Sequence, residues 1–273
     1  MSFSEETVSR RLAGAAKTVT VEIRDSVSST NTVLKELAEQ GAPEGTVLIA
    51  KEQSAGKGRL GRSFFSPRGT GLYMSILLRP KFSAEESLSI TTAAAVAVAG
   101  AVEEVTGRPA KIKWVNDVYL DGYKICGILT EASADFETGG LHYAVLGIGV
   151  NLQAPEGGFS EEIREIAGAL FKTVLPEAQE MLAAGILNRF FAFYSDLTAR
   201  SFLQEYRERS LLTGTQIHFL YGNESFTGKV IGIDDDFRLM VELEDGSKKT
   251  FSAGEVDIDK EFLSQIRQKK EKE

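Results

Sequence analysis

The sequence predicts an α+β fold, in which helices pack on a mixed β-sheet, followed by a small β-barrel. Up to about residue 209, strand-like apolar runs alternate with helical runs, a pattern typical of a sheet covered by helices. From about residue 211, four short β-rich segments follow one another without a helical pattern, as in a small barrel. The chain has 273 residues, enough for both units. We therefore predict domains at 1–209 and 210–260, and a charged, frayed tail at 261–273.

The elements follow from apolar periodicity and from the residues that end each run. Residues 1–24 predict a helix capped by Ser4 and then a strand. Next come a helix in SSTNTVLKELAEQG, strands in TVLIAKE and GLYMSILLRP, a long helix at about 84–106, a strand in KIKWV, a hairpin in VYLDGYKICGILTEAS, a strand in HYAVLGIGVNL, and two helical patterns between about 160 and 208. The Asp121-Gly122 pair marks the hairpin, because a two-residue turn favours these residues. The four barrel segments are TQIHFLYG, ESFTGKVIGID, FRLMVELEDG and SKKTFSAGEV.

The charge distribution points to a discrete anionic ligand. The net charge of −8 and the pI near 5.1 argue against a general nucleic-acid binder. The window 51–68 is the exception, since it contains five cationic residues and only one acid, Glu52. These cations are Lys51, Lys57, Arg59, Arg62 and Arg68.

The remaining composition is that of a soluble globular protein, and we expect it to be cytoplasmic. The single cysteine, Cys126, excludes an intramolecular disulfide framework and a Cys-cluster metal site, and its apolar surroundings predict a buried, inert thiol. No signal peptide is expected in MSFSEETVSRR. The apolar stretch TTAAAVAVAGAV is too short to predict a membrane span, so we expect no membrane association.

The glycine-rich stretch EQSAGKGRLGRSFF (52–65) is either a solvated hairpin tip or a loop that wraps an anion. Closely spaced glycines let backbone N–H groups approach an anion, and arginine suits bidentate binding of carboxylate or phosphate. The stretch is not a Walker loop, because Gly58 rather than Ser or Thr follows Lys57. It is not a dinucleotide fingerprint either, because a strand rather than a helix is predicted after it.

Three further segments combine polar residues with sites where a ligand could approach, although each has a simpler structural interpretation. KIKWVNDVYLDGYKICGI brings a lysine, Lys124, into an apolar strand, where it either reaches the sheet edge or meets a buried anion. GIGVN (147–151) has glycines at alternate positions, which either admit a flat ligand or mark a bulge. Ser29-Thr30-Asn31 either cap a helix or offer its free N–H groups to a ligand. The histidines, His142 and His218, lack partners at informative spacing, so we predict neither a catalytic triad nor a two-His metal site.

Taken in order, SSTN, EQSAGKGRLGRSFFSP, KWVNDVYLDGYKICGIL and GIGVNL resemble the biotin–protein ligases (biotin–[acetyl-CoA-carboxylase] ligases). The motifs span residues 29–152, and the β-rich segment near 211–258 is similar to the family's SH3-like C-terminal domain. The resemblance implies a ligase domain like that of class II aminoacyl-tRNA synthetases. It also implies an enzyme that joins biotin and ATP into biotinyl-5′-adenylate, with Mg²⁺ assisting. The enzyme would then transfer biotin to one lysine of a biotin carboxyl carrier domain of a carboxylase.

The resemblance also implies roles for individual residues. Lys124, Arg59 and Arg62 would be catalytic. Biotin would contact Ser29, Thr30, Asn31, Gln53, Gly56, Lys57, Gly58, Arg59, Lys124, Gly127 and Gly147. ATP or the adenylate would contact Lys57, Arg59, Arg62, Lys113, Trp114, Asn116, Asp117, Lys124, Gly149 and Asn151. No residue is expected to ligate a metal, and family members are monomers or homodimers.

Two positions depart from the family pattern, and two other functions remain open. Val115 replaces the usual proline before Asn-Asp, and Phe64 replaces a tryptophan. The alternatives are a lipoate or octanoyl ligase-type acyltransferase and a non-enzymatic biotin sensor. Bifunctional members carry an N-terminal helix-turn-helix domain, and the roughly 25 residues before SSTN are too few for one. We therefore expect a monofunctional form that binds no nucleic acid and has no repressor activity.

Overall fold

Seven strands form the main β-sheet of the computed structural model, which describes residues 3–80, 87–134, 140–173, 175, 177–222, 224–258 and 260–270. The strands are β1 (Thr20–Arg24), β2 (Thr46–Ala50), β3 (Gly71–Leu78), β4 (Lys111–Lys113), β5 (Asp117–Leu120), β6 (Tyr123–Ala134) and β7 (Leu141–Asn151). Their order in the sheet is β1-β2-β3-β7-β6-β5-β4. β1 and β2 are parallel and the other pairs are antiparallel. The predicted mixed sheet is therefore confirmed.

Six helices accompany the two sheets in the described part of the chain. They are α1 (Glu5–Ser9), α2 (Thr30–Glu39), α3 (Ser87–Thr106), α4 (Ala178–Tyr194), α5 (Leu203–Glu208) and α6 (Lys260–Lys270). The predicted start of the long helix, at residues 84–86, lies outside the described residues. α3 is long and apolar enough to cross a membrane, but 78% of its apolar window is buried inside the protein.

The central strands are buried on both faces, which explains their continuous apolar runs. Successive residues of a strand point to opposite faces. Met74 and Ile76 of β3 join the core formed with α3 and α4, whereas Leu77 packs on the other side against Leu34 of α2. We call that second side the α2 face. It carries the polar and glycine positions of the central strands, including Ser75 and Gly147.

The hairpin between β5 and β6 has the predicted two-residue turn. Asp121 and Gly122 both adopt positive φ, at 51° and 79°, and Leu120 pairs directly with Tyr123. A two-residue turn with positive φ at both positions matches the right-handed twist of the strands it joins. The turn places Lys124 opposite Tyr119 on β5.

The C-terminal sheet has five strands, one more than predicted. They are β8 (Gln216–Tyr221), β9 (Glu224–Ile233), β10 (Leu239–Leu243), β11 (Lys248–Phe251) and β12 (Glu255–Asp257), in the order β11-β10-β9-β8-β12. The segment predicted as one strand, SKKTFSAGEV, is split between β11 and β12. Gly254 has a φ of 135° at the break, a conformation that favours glycine.

Buried contacts join the C-terminal sheet to the first domain. Trp114 Nε1 donates a 2.8 Å hydrogen bond to the carbonyl of Phe237, and the Phe237 ring stacks on Phe202 at 5.2 Å. The backbone of Ile112 also pairs with residues 209–211. The polar edge of Trp114 therefore fixes the C-terminal sheet beside β4 and β5.

Two local predictions are wrong. Residues 160–173 form turns rather than part of a helix: the segment pairs with β6 at Ala167, Ile163 and Ile166 line a cavity, and Leu170 packs in the core. The tail is not a frayed end within the described residues: α6 extends to Lys270, and Leu263 is buried against Tyr119 and Leu211. The tail is mostly charged, but one face of α6 is apolar. Residues 271–273 lie outside the described residues.

Candidate functional site

A cavity of about 510 Å³ lies on the α2 face of the main sheet. The start of α2, the basic loop (residues 51–70) and strands β5, β6 and β7 form most of its wall. The segment 159–167 and residues 254–257 of the C-terminal sheet complete it. The cavity therefore brings together all the sequence segments that were predicted to bind a ligand, and adds two that were not.

The glycines of the central strands leave space above the sheet, and other side chains of the protein occupy that space. Gly147 pairs with Ser75, and Gly149 pairs with Gly127. A Cβ on Gly147 would lie 2.3 Å from Asn31 Oδ1, and a Cβ on Gly149 would lie 2.6 Å from the Phe64 ring. Asn31 and Phe64 thus occupy the space over these two glycines, which also line the cavity, and contact of a flat ligand with them stays a prediction.

One end of the cavity carries a network of uncharged polar groups around the start of α2. The backbone N–H and the hydroxyl of Thr30 donate to Gln53 Oε1 over 2.8 and 3.1 Å. Ser75 Oγ lies 2.7 Å from Thr30 Oγ1 and 2.6 Å from Asn31 Oδ1. Ser29 is the N-cap residue by position, but its side chain makes no capping hydrogen bond. Gln53 Oε1 instead accepts the first N–H of the helix, so Ser29 is the N-cap residue by position but its side chain does not cap the helix.

The network ends at a carboxylate that the sequence analysis did not select. Asn31 Nδ2 donates to Glu131 Oε2 over 2.9 Å, and Lys35 forms an ion pair with the same carboxylate. Burial alone would raise the pKa of Glu131, but the hydrogen bonds from Lys35 and Asn31 outweigh it and hold that pKa below its usual range. Glu131 thus stays ionised and fixes the orientation of the Asn31 amide.

Glu131→Gln should make the protein's stability less sensitive to acid. Because the folded-state pKa is lowered, Glu131 stabilises the fold above the ordinary glutamate pKa of about 4.3 and loses that contribution as the pH falls through the folded pKa. Chemical denaturation as a function of pH should show a shallower decline for the variant in that window. Glu36→Gln on the exposed side of α2 removes the same charge and should retain the parent slope. An unchanged slope for Glu131→Gln would contradict the assignment.

Gly147→Ala should destabilise the protein by roughly 1–3 kcal/mol, the usual cost of overpacking a buried site. The added methyl group would displace the side chain of Asn31. This residue is only 3% exposed, and both its Oδ1 and its Nδ2 are hydrogen-bonded. Combining Gly147→Ala with Asn31→Ala should cost less than the sum of the two single changes, since the shortened side chain no longer clashes. Thermal unfolding of all four proteins measures this coupling. Strict additivity would show that Asn31 is not the obstacle.

The opposite end of the cavity is charged. Lys124 Nζ lies 2.7 Å from Asp117 Oδ2, and Arg59 Nη1 donates to Asn116 Oδ1 over 2.8 Å. Burial lowers the pKa of the Lys113 ammonium, against the opposing effect of Asp117. A bound anion would oppose this lowering and would satisfy both lysines. Three cations thus lie together near Asp117, with Glu255 and Asp257 also close enough to act on Lys113, and the cluster suits an anionic group.

The basic loop is an ordered hairpin that closes against the C-terminal sheet. Gly58 N–H donates to the Arg62 carbonyl over 2.7 Å, and Arg62 forms an ion pair with Glu255. Arg59 Nη2 lies 3.5 Å from the Gly254 carbonyl. The hairpin is therefore not a free solvated tip, since it walls the cavity, and anion binding by this loop stays a prediction.

Every predicted site residue except Gly56 lines the cavity. The lining residues among them are Ser29, Thr30, Asn31, Gln53, Lys57, Gly58, Arg59, Arg62, Lys113, Trp114, Asn116, Asp117, Lys124, Gly127, Gly147, Gly149 and Asn151. Gly56 is buried behind the loop, where a Cβ would lie 2.3 Å from the Phe64 carbonyl. It is thus structural, because it lets the two arms of the hairpin approach closely.

Four parts of the site were not predicted from the sequence: Ser75, Glu131, Glu255 and the segment 159–167. Ser75 could have been found, because it is the only polar side chain besides Tyr73 in the strand GLYMSILL. The others had no local signal, because only the tertiary fold brings Glu131 to Asn31 and brings Glu255 and the segment 159–167 to the cavity. As predicted, Cys126 is fully buried, and burial raises its thiol pKa, so it is not a nucleophile.

The arrangement suits a ligand with an uncharged polar head and an anionic tail. The head would lie at the start of α2, and the tail would reach Lys124, Lys113 and Arg59. Such a site can orient two reactants and stabilise negative charge between them without a protein nucleophile.

Comparison with known families assigns both domains. Residues 23–151 match the Biotin/lipoate A/B protein ligase family, and residues 213–259 match the Biotin protein ligase C terminal domain. The second match separates biotin from lipoate enzymes, since it names a domain of biotin protein ligases.

Individual proteins that are similar to this chain belong to the same family. The bifunctional ligase/repressor BirA of Bacillus subtilis is 35% identical over 236 residues, covering 84% of this chain and 71% of the relative. The biotin–[acetyl-CoA-carboxylase] ligase of Mycobacterium tuberculosis is 31% identical, covering 84% of this chain and 85% of the relative. Among solved structures, a biotin protein ligase from Aquifex aeolicus in complex with biotin and ATP is 30% identical. It has a TM-score of 0.70 and covers 87% of this chain and 97% of that chain.

Proposed function

Because this chain belongs to the biotin protein ligase family and is therefore an enzyme that ligates biotin, we propose that it acts in two steps within the cavity. In the first, a biotin carboxylate oxygen attacks the α-phosphorus of ATP, forming biotinyl-5′-adenylate and releasing pyrophosphate. In the second, the amine of a carrier lysine attacks the carbonyl carbon, forming an amide and releasing AMP. One observation carries this proposal: a single cavity joins an uncharged polar end to a cluster of cations.

The polar end supports binding of the biotin ring. An uncharged bicyclic ring needs hydrogen bonds from fixed polar groups, and Thr30, Asn31 and Gln53 lie in one buried network. Ser29 lies beside them with its hydroxyl not engaged in capping. We assign these four residues to the ring and its tail, with Gly127 and Gly147 providing room for the side chains that bind it.

The charged end supports binding of the carboxylate and the phosphates. We assign Lys124 and Arg59 to the junction of the biotin carboxylate and the α-phosphate, and Lys57 and Arg62, exposed residues of the basic loop that line the same cavity, support anion binding there. Lys113, Asn116 and Asp117 would contact the adenylate, as would Asn151 across the cavity. Fixed cations at this junction stabilise charge that develops in both transition states.

The chain's own residues therefore position and shield the reactants. The acceptor amine belongs to the partner protein, so no covalent intermediate with this chain is required. Phe64 packs over Gly127 and Gly149, and the basic loop walls the cavity, which would limit the access of water to the mixed anhydride. Transfer requires the partner's lysine to enter past the loop.

We propose that Mg²⁺ enters with ATP. Among the described residues, no three His, Cys, Asp or Glu side chains are grouped so as to hold a metal, which does not fit a resident ion. Mg²⁺ commonly keeps several waters and binds mainly through substrate phosphates. When bound, it would screen phosphate charge.

We further propose a biotin carboxyl carrier domain as the acceptor and no repressor activity. A relative named biotin–[acetyl-CoA-carboxylase] ligase supports the first. Leu60 and Phe65, which are 75% and 52% exposed, lie at the cavity opening and offer apolar contact to a protein partner. The net charge of −8 supports the second, since phosphate backbones bind basic surfaces.

The test is an ATP–pyrophosphate exchange assay followed by labelling of a carrier domain. Exchange should depend on biotin, and lipoate should not replace it. Exchange that depended on lipoate instead would indicate the acyltransferase alternative. Biotin binding without any labelled carrier would indicate a sensor.

A further inference from the structure

The C-terminal helix α6 reaches the wall of the cavity through one side chain. Arg267 Nη2 donates hydrogen bonds to the Gly122 carbonyl at 3.0 Å and to the Glu165 carbonyl at 2.8 Å. Its Nε also donates to Gly122, over 3.2 Å. Arg267 thus ties the β5–β6 turn to the segment that walls the cavity.

That segment, residues 163–168, has no helix or strand of its own. It is held against β6 by backbone hydrogen bonds from Lys124 N–H to the Ile166 carbonyl and from Gly168 N–H to the Lys124 carbonyl, both 2.8 Å. Asn151 Nδ2 donates to the Gly168 carbonyl over 3.0 Å. The inner side of the segment is therefore fixed by two residues to which the proposed function assigns adenylate contacts, Lys124 and Asn151.

Arg267 holds the outer side of the same segment. Its guanidinium lies 3.9 Å from the centre of the Tyr123 ring. A Cβ on Gly168 would lie 2.4 Å from Tyr123 Cβ, so the segment packs directly on that residue. Tyr123, immediately before Lys124, thus contacts both the guanidinium and the segment.

The rest of α6 anchors this contact. Leu263 is buried with Tyr119 and Leu211, and Phe262 and Ile266 pack against them. Tyr119 itself lines the cavity. α6 is therefore fixed to β5 by apolar contacts, and the position of Arg267 is set by a packed helix rather than by a mobile terminus.

We propose that Arg267 is a positioning residue, which holds residues 163–168 against Lys124 and thereby sets the affinity for ATP. This inference rests on the proposed function, because it takes the Lys124 and Asn151 side of the cavity as the nucleotide side. Without Arg267, the segment loses the hydrogen bond at the Glu165 carbonyl and opens more often. The population able to enclose the nucleotide falls, and the apparent affinity falls with it.

The test compares the parent with Arg267→Ala, Arg267→Lys and Lys269→Ala in the full chain. Biotin-dependent exchange should show the KM for ATP rising roughly three- to tenfold for Arg267→Ala, the effect of losing one or two hydrogen bonds. The KM for biotin and kcat should stay within about twofold. Arg267→Lys should recover part of the loss, because it retains a donor and the charge over Tyr123. Lys269→Ala removes the same charge from an exposed position of α6 and should match the parent.

A second readout does not depend on catalysis. Amide hydrogen exchange in peptides spanning 159–170 should be faster in Arg267→Ala than in the parent or in Lys269→Ala. Unchanged exchange protection, or an unchanged KM for ATP, would overturn the proposal. A parallel loss of thermal stability, biotin affinity and kcat would also overturn it, because it would show a general structural role. If the parent shows no biotin-dependent activity, the proposed function fails, whereas the protection data still decide whether Arg267 holds the segment.

Discussion

Lys124→Ala should slow biotin-dependent ATP–pyrophosphate exchange by about two to three orders of magnitude, the effect of removing one preorganised electrostatic group. The ammonium lies 2.7 Å from Asp117 in a partly enclosed site, with the two side chains 32% and 16% exposed. It is therefore oriented before a ligand arrives, and no reorganisation is needed when charge develops between carboxylate and phosphate. Biotin binding measured by calorimetry should weaken much less, since the ring contacts lie at the other end of the cavity.

Two variants separate this effect from simple damage to the fold. Lys124→Met keeps the aliphatic stem and removes only the charge, so it should be as slow as Lys124→Ala. Lys111→Ala removes a lysine from β4, outside the cavity, and should retain parent activity. Labelling of a carrier domain by Lys124→Met at the parent rate would refute the role.

Arg59→Ala should release biotinyl-5′-adenylate roughly 10- to 100-fold faster, the cost of losing a charge-assisted contact in a partly buried site. Arg59 extends from the basic loop to Asn116 Oδ1 at 2.8 Å and to the Gly254 carbonyl at 3.5 Å. Without the Arg59 side chain, the site lacks a cation beside the phosphate, and the loop lacks its contact with the Gly254 carbonyl. Retention of adenylate made with labelled ATP, followed by gel filtration over time, measures the release.

Arg68→Ala is the matched control for this experiment. Arg68 belongs to the same loop but pairs with Glu52 and Asp25, away from the cavity. Its loss removes an equal charge from the same segment and should leave adenylate retention unchanged. If both variants released adenylate equally fast, the effect would come from the net charge of the loop and not from the position of Arg59.

Local patterns were sufficient for the strands, the hairpin and most of the site. Apolar runs and the Asp121-Gly122 turn depend on a few neighbouring residues, so the chain itself encodes them. The basic loop, KWVND and GIGVN were selected because of their glycines, cations and amides, and the resemblance to the biotin–protein ligases supplied the residue roles. Gly56 was misassigned since a glycine that permits close backbone approach has the same sequence pattern as one that exposes N–H groups.

The terminal helix and the segment 160–173 could not be predicted in the same way. α6 has a charged composition, and its apolar face is recognised only once Tyr119 and Leu211 are in place to cover it. The segment 160–173 has helix-forming residues and makes isolated turns, with Arg164 N–H bonded to the Ser160 carbonyl and Ala167 N–H to the Ile163 carbonyl, but Ile166 and Gly168 pair with Lys124 on β6 and no helix continues beyond them. In both cases a long-range partner outweighed the local preference.

The sequence by itself determined the chemistry of this protein: an uncharged polar group near Thr30, a basic glycine-rich loop and a lysine in an apolar strand. These are properties of residue type and spacing, which do not depend on the rest of the fold. Only the tertiary structure decided that Asn31 and Phe64 cover the sheet glycines, that Glu131 orients Asn31, and that Arg267 braces the wall beside Lys124. Each of these contacts joins residues far apart in the chain, and packing of the completed sheet is what brings them within hydrogen-bonding or van der Waals distance.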